Sequence, residues 1–121
     1  MTTFAILIKS DTYAATPLAD CQRFIQASIQ LGHQIDHVFL YGNAVMSVMP
    51  EPDLPADEPD EAAKLAQLCL AANIPLLYCA TAAEKRGIFN PRAGYTLAGL
   101  AEFGMRLENT DRLIQFNWRQ L

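Results

Sequence analysis

Cysteine is the residue type in this chain with the clearest chemical potential, and Cys79 has the most suggestive position. The apolar run at residues 76–78 predicts a strand buried on both faces, and the small residues at 80–83 predict a helical turn directly after it. Ligands of open α/β sheets bind at the carboxyl ends of strands. The free N–H groups that begin a helix stabilise an anion such as a thiolate. This position therefore favours a nucleophilic thiol, with an inert buried cysteine as the alternative.

The other two cysteines are predicted to be structural. Cys21 falls on the apolar face of a helix that begins near Thr16, and Cys69 falls on the apolar face of a helix opened by Pro59. Three cysteines form an odd number, and the sequence has no CxxC pair, so neither a disulfide framework nor a zinc site is expected.

The two histidines, His33 and His37, are four residues apart but fall on a turn and on the start of a strand. A metal site needs more ligands than this pair provides. We therefore interpret both as surface or turn histidines and expect no metal.

Strands and helices alternate along the chain in the order that predicts a parallel sheet. The predicted strands lie at residues 4–8, 35–41, 76–78 and 112–116, and the longer helices begin near Thr16, at Pro59 and at Tyr95. There is no internal repeat and no shift in composition that would mark a second domain. The sequence predicts one α/β domain over residues 1–121, with a mostly parallel, open, flavodoxin-like sheet flanked by helices.

Residues 42–59 change in character and predict a long crossover loop. The front half, residues 44–49, is apolar, whereas the back half contains four prolines among acidic residues. Proline at that density prevents regular structure. The apolar half could cover a site or meet a partner, or it could pack on its own domain, and the sequence leaves both open.

Composition and motifs exclude several classes of function. A net charge of −4 and a pI near 5.0 disfavour direct binding to nucleic acid. The apolar runs are far shorter than the roughly 20 residues that a membrane helix needs. No signal peptide is recognisable, so a cytoplasmic protein is expected.

No GxGxxG, P-loop or nucleophile-elbow motif is present in the sequence. The loop at residues 9–13 has no glycine that could approach the phosphate of a flavin. No cofactor is therefore expected.

The order and spacing of several short segments resemble the DsrE family over essentially the whole chain, and within it the TusD type of sulfur-relay subunit. Each segment matches part of a strand, helix or loop of that family. The segments are Phe4-Ala5-Ile6 with Tyr13, Gly32-His33 before Val38-Phe39-Leu40-Tyr41, Cys79-Ala80 with Ala82-Ala83 and Arg86-Gly87, Thr96-Leu97-Ala98-Gly99-Leu100, and Asp111-Arg112 through Gln115-Phe116.

The resemblance implies a sulfurtransferase that works as a persulfide carrier. Cys79 would accept sulfane sulfur from an upstream persulfide donor and pass it to a cysteine of a partner protein. The implied partners are sister subunits of the TusC/TusB or DsrF/DsrH type, and an acceptor of the TusE/DsrC type. The final destination, either thiolation of a tRNA wobble uridine or sulfur oxidation, stays open. No direct contact with nucleic acid or membrane is implied.

Two alternative functions remain. One is a non-catalytic structural or regulatory subunit of such a complex, and the other is a flavodoxin-like module for a small anion or nucleotide, which the missing glycine loop disfavours. The apolar stretch at 44–49, together with Leu68, Leu70 and Trp118, predicts more exposed apolar surface than a small monomer needs. The chain is therefore expected to form an oligomer, of one or several kinds of subunit.

Overall fold

A five-stranded parallel sheet forms the centre of the computed structural model, which describes residues 1–9, 16–50 and 59–117. The strands are β1 (Thr3–Ile8), β2 (Gln34–Leu40), β3 (Leu76–Cys79), β4 (Thr96–Ala98) and β5 (Arg112–Phe116). Across the sheet they follow the order β4-β3-β2-β1-β5. The prediction of an α/β fold with a parallel sheet is confirmed.

Four α-helices and one 3₁₀ helix connect these strands in the described residues. They are α1 (Thr16–Gln30), the 3₁₀ helix Gly42–Val48, α2 (Glu61–Ala71), α3 (Ala80–Lys85) and α4 (Leu100–Leu107). Helix α2 begins at Glu61, slightly after Pro59, where the sequence predicts its start. Asp60 is its N-cap, because the Asp60 carboxylate accepts a hydrogen bond from the Ala63 N–H at 3.2 Å. It ends before Asn73, whose φ of 58° lies in the left-handed region that stops a helix.

Helices α1 and α4 pack on opposite faces of the sheet. Phe24 of α1 contacts the ring of Phe4 in β1, whereas Phe103 of α4 contacts the ring of His37 in β2. Ala5 pairs with His37 across the two strands, so these residues share a face. Because successive side chains of a strand alternate, Phe4 points to the other face.

The region before α4 differs from the sequence prediction of one helix from Tyr95 to Phe103. Residues Thr96–Ala98 instead form β4, which pairs with β3, and Gly99 is the N-cap of the shorter α4. A strand of three residues is too short to show an alternating pattern. Its conformation is set by hydrogen bonds to β3, which are long-range contacts.

The apolar half of the predicted crossover loop packs on its own domain. Ala44, Val45 and Val48 of the 3₁₀ helix are fully buried, and this helix contacts β3 and α3. The back half of the loop, residues 51–58, lies outside the described residues, as do the predicted loop residues 10–13 and Trp118. In the described parts of the chain, no helix has the length and apolar character needed to span a membrane.

Candidate functional site

Cys79 lies at the carboxyl edge of the sheet, at the junction that the sequence predicts. It is the last residue of β3 and the N-cap of α3, with extended backbone angles of φ −69° and ψ 121°. It pairs with Ala98 of β4 on one side. On the other side Leu40 pairs with Tyr78, so Tyr41 follows at the level of Cys79. Two neighbouring strands therefore flank the cysteine.

The register also assigns Cys79 to one face of the sheet. Leu77 pairs with Phe39, so these two side chains share a face of the sheet. Successive side chains of a strand alternate between the two faces, so Cys79, two residues after Leu77, lies on the same face as Leu77. The Phe39 ring stacks on Phe103 of α4 at 4.6 Å and on Tyr41 at 6.4 Å between centroids. Cys79 consequently belongs to the face that α4 covers.

The thiol of Cys79 is almost completely buried. Its residue is 1% exposed, which is as low as the two cysteines that the sequence assigns to the core. A strand end alone therefore does not make this cysteine accessible. Any reaction of Cys79 with another protein requires that the covering groups move or that the partner displaces them.

Cys21 and Cys69 lie within helices, as the sequence predicts, and both are buried and free. Burial raises the pKa of the Cys69 thiol to about 12. Burial also raises the pKa of Cys21 well above its ordinary value, with a smaller contribution from the nearby Cys69. Both thiols are therefore kept protonated at neutral pH, and a protonated thiol is a poor nucleophile.

The family model described as DsrE/DsrF-like matches residues 3–116. The chain belongs to the DsrE/DsrF-like family. The resemblance inferred from the sequence is thereby confirmed at the level of the family, whose members are generally related to sulfur relay.

Two solved structures resemble this DsrE/DsrF-like fold. The crystal structure of the ychN protein from E. coli aligns with a TM-score of 0.77 and 22% identity, covering 96% of this chain and 100% of the other. A conserved protein of unknown function from Bacteroides thetaiotaomicron, BT1422, aligns with a TM-score of 0.61 and 16% identity, covering 93% of each chain. At these identities the two likenesses establish the fold alone.

Arg86 connects α3 of this DsrE/DsrF-like chain to the 3₁₀ helix. Its guanidinium donates hydrogen bonds to the side-chain oxygen of Asn43, at 3.2 Å from Nε and 2.7 Å from Nη2. Its Nη1 also donates to the carbonyl of Ala82 at 2.9 Å. These bonds join the end of α3, the helix whose N-cap is Cys79, to the 3₁₀ helix. The sequence offers no local signal for the contact with Asn43, because the two residues are 43 positions apart.

A second polar cluster holds the segment that leads to β4. Arg92 donates to both carboxylate oxygens of Asp60, and this hydrogen-bonded pairing lowers the pKa of Asp60. The hydroxyl of Tyr95 donates to the carbonyl of Ala62 at 2.8 Å. Gly94, with a φ of +96°, lies so close to α2 that an added Cβ would be 2.8 Å from the Cβ of Ala66. Helix α2 thus positions the strand next to Cys79.

The two histidines occupy different environments. His33 lies in the turn after α1, as predicted, and its Nδ1 accepts a hydrogen bond from the Thr2 N–H at 3.0 Å. The prediction of a surface or turn position is wrong for His37, which is fully buried in β2. The sequence pattern missed this because a histidine on a central strand can satisfy one nitrogen locally, here through the adjacent Asp36.

Proposed function

We propose that this DsrE/DsrF-like chain is a sulfurtransferase subunit that carries sulfane sulfur as a persulfide on Cys79. The relation of the family to sulfur relay supports the class of reaction. The observation that carries the choice of Cys79 is its position at the carboxyl edge of the sheet, at the start of α3. Cys21 and Cys69 are held inside helices with raised pKa values, which makes them poor alternatives.

The reaction proceeds by two thiol exchanges that need no external oxidant. The Cys79 thiolate attacks the terminal sulfur of a donor persulfide, so one S–S bond forms while the donor's S–S bond breaks. The donor leaves as a thiolate and takes the electron pair of the broken bond. A thiolate of the acceptor protein then attacks the terminal sulfur on Cys79, which returns Cys79 to a thiolate. Each step conserves the oxidation state of the sulfane sulfur.

The surroundings of Cys79 support a role for partner proteins. Leu97 of β4 and Leu100 of α4 are more than half exposed. Leu97 pairs with Tyr78, and Leu100 follows shortly after Ala98, which pairs with Cys79. Exposed apolar residues of this kind are typical of surfaces that meet other subunits. We propose partners of the TusC/TusB or DsrF/DsrH type, together with an upstream persulfide donor and an acceptor of the TusE/DsrC type. Three free cysteines fit a reducing compartment such as the cytoplasm.

A non-catalytic subunit of the same kind of complex is the second candidate. The observation that favours it is the burial of Cys79, whose thiol is as covered as the core cysteines. The two candidates differ in one measurable property, which is whether native protein takes sulfur from a donor. Solvent exposure in the isolated chain does not separate them, because a partner could uncover the thiol.

The test of the proposal is sulfur loading followed by intact mass spectrometry. We expect the unmodified chain, incubated with a small-molecule persulfide donor at neutral pH, to gain the mass of one sulfur atom. The Cys79→Ser variant should gain none, because it lacks the accepting thiol. A Cys21→Ala/Cys69→Ala double variant is the matched control and should load as the unmodified chain does.

Loading of the Cys79→Ser variant to the same extent would assign the sulfur to another residue. If none of the three proteins loads while all remain folded by circular dichroism, loading is repeated with a persulfide-bearing protein as the donor, because such a partner could uncover the thiol. Failure to load from the protein donor as well would favour the non-catalytic candidate.

A further inference from the structure

His37 is a buried titratable residue that the proposed sulfur chemistry does not use. It lies on β2, the middle strand of the sheet, and is 0% exposed. Its Nδ1 is 2.8 Å from the Oδ2 atom of Asp36. Its Nε2 is also buried, and it has no hydrogen-bond partner among the residues that the structure describes. A buried polar atom without a partner is unusual in a folded protein and requires an explanation.

The covering of His37 comes from α4. The ring of Phe103 meets the imidazole edge-on at 5.5 Å and also stacks on Phe39. Arg106 lies 4.0 Å from the Asp36 carboxylate and donates to Glu102 at 3.0 Å. All eight residues of α4 are described, and none of them is buried. The side-chain contacts from α4 to β2 that the structure describes are those of the Phe103 ring and the long Arg106–Asp36 ion pair, and both involve the His37–Asp36 pair.

The charge balance around His37 favours the neutral ring. Burial lowers the pKa of His37, and this effect exceeds the opposing effect of the Asp36 hydrogen bond and charge. Arg106 lowers the pKa further, while Glu102 raises it. On the adjacent strand β1 the neighbouring position is Ala5, and Pro75, directly before β3, accepts a hydrogen bond from the Val38 N–H; neither residue carries a charge.

The neutral and the protonated ring of His37 differ in whether their N–H groups have acceptors while α4 is packed. In the neutral ring, Nδ1–H donates to the Asp36 carboxylate, and Nε2 presents a lone pair to its apolar surroundings. In the protonated ring, Nε2 carries an N–H that has no acceptor while α4 is packed. An unpaired buried donor carries a high desolvation cost, which is removed when water reaches the ring.

We propose that His37 makes the docking of α4 sensitive to protons: the helix packs on the sheet while His37 is neutral and is released when His37 is protonated. The direction follows from linkage. The pKa of His37 is lower when α4 is packed than when α4 is released, where it has the ordinary value near 6.5. Packing of α4 therefore weakens as the pH falls from about 6.5 towards the lower pKa of the packed state. Cys79 lies on the same face of the sheet, so release of α4 also changes the surroundings of the proposed sulfur site.

Hydrogen exchange between pH 8 and pH 5 tests this proposal, with rates converted to protection factors to remove the intrinsic pH dependence. We expect protection of the α4 amides to fall as the pH is lowered. The fall should be about tenfold for each pKa unit by which His37 differs between the packed and the released state of α4. Protection of β1 and β2 should stay constant over the same range. The sequence contains two histidines, so His37→Gln should abolish the fall, and the matched control His33→Gln should retain it.

A third variant, Asp36→Asn, tests the same mechanism without removing the histidine. It deletes the carboxylate that favours the protonated ring in the packed state, so the lower limit of the fall in α4 protection should shift to lower pH and the total fall should increase. Three results would overturn the proposal. These are α4 protection that does not change with pH in the unmodified chain, an equal fall in the His37→Gln variant, and a parallel fall in all elements. If His37→Gln does not fold, the direction of the Asp36→Asn shift decides.

Discussion

The two faces of the sheet are stabilised to different degrees. The face covered by α1 and α2 has a continuous apolar core, to which the helices contribute Leu18, Cys21, Ile25, Leu65 and Cys69, all nearly inaccessible to solvent. The face covered by α4 relies on Phe103, because no residue of that helix is buried. Cys79 and His37, the residues with proposed chemical roles, belong to the second face. The buried apolar side chains that helices contribute are thus concentrated on one face, and we expect α4 to be released at a lower cost than α1 or α2.

Matched leucine truncations on the two faces give the largest expected difference in stability. Leu65→Ala removes a fully buried side chain from α2 and should lower the free energy of unfolding by about 2–5 kcal/mol. Leu100→Ala removes a half-exposed side chain from α4 and should change it by about 0.5 kcal/mol or less. Urea denaturation followed by circular dichroism measures both. Equal losses would contradict the difference between the faces.

Substitutions at Asp60 test how firmly α2 and the segment before β4 are joined. Asp60→Ala removes both the N-cap and the ion pair with Arg92, and should cost about 0.5–2 kcal/mol. Asp60→Asn keeps a capping oxygen and should cost less. The folded pKa of Asp60 is lowered, so its charge stabilises the fold above the ordinary value of 3.8, and this contribution is lost as pH falls through the folded pKa.

Both Asp60 variants should therefore lose part of the acid dependence of unfolding below pH 4 that the unmodified chain shows. Denaturation at a series of pH values measures it. An unchanged profile in Asp60→Asn would show that the ion pair with Arg92 does not stabilise the fold.

The third prediction concerns self-association. The sequence suggested Val48 and Met49 as surface positions, but Val48 is fully buried, and a charge there would test folding instead. Met49 is 43% exposed and remains suitable. We expect the purified chain to sediment as an oligomer at micromolar concentration, and Met49→Glu to weaken association by roughly tenfold, or ~1.4 kcal/mol.

Leu31→Glu is the control for Met49→Glu, since Leu31 is exposed in the turn at the amino end of β2. A clean monomer of 13.4 kDa for the unmodified chain would contradict self-assembly and leave only association with other subunits.

The sequence predicted the elements whose signals are local and missed those that depend on distant pairing. Strand β1 is an apolar run, and α1 has helical periodicity, so both were predicted. Strand β4 was missed because its conformation depends on pairing with β3. The position of Cys79 was predicted from its neighbours in sequence, but its burial was not, because the covering groups come from other elements. The same reason applies to His37, which is covered by a helix far along the chain.

The most direct test of the central claim follows one sulfur atom into and out of the chain. Native protein is loaded with a persulfide donor, mapped by peptide mass spectrometry, and then chased with a small thiol acceptor. We expect the added sulfur on the peptide that contains Cys79, and we expect it to appear on the acceptor after the chase. Sulfur found on the Cys21 or Cys69 peptide, or sulfur on Cys79 that the acceptor cannot remove, would contradict a relay through Cys79.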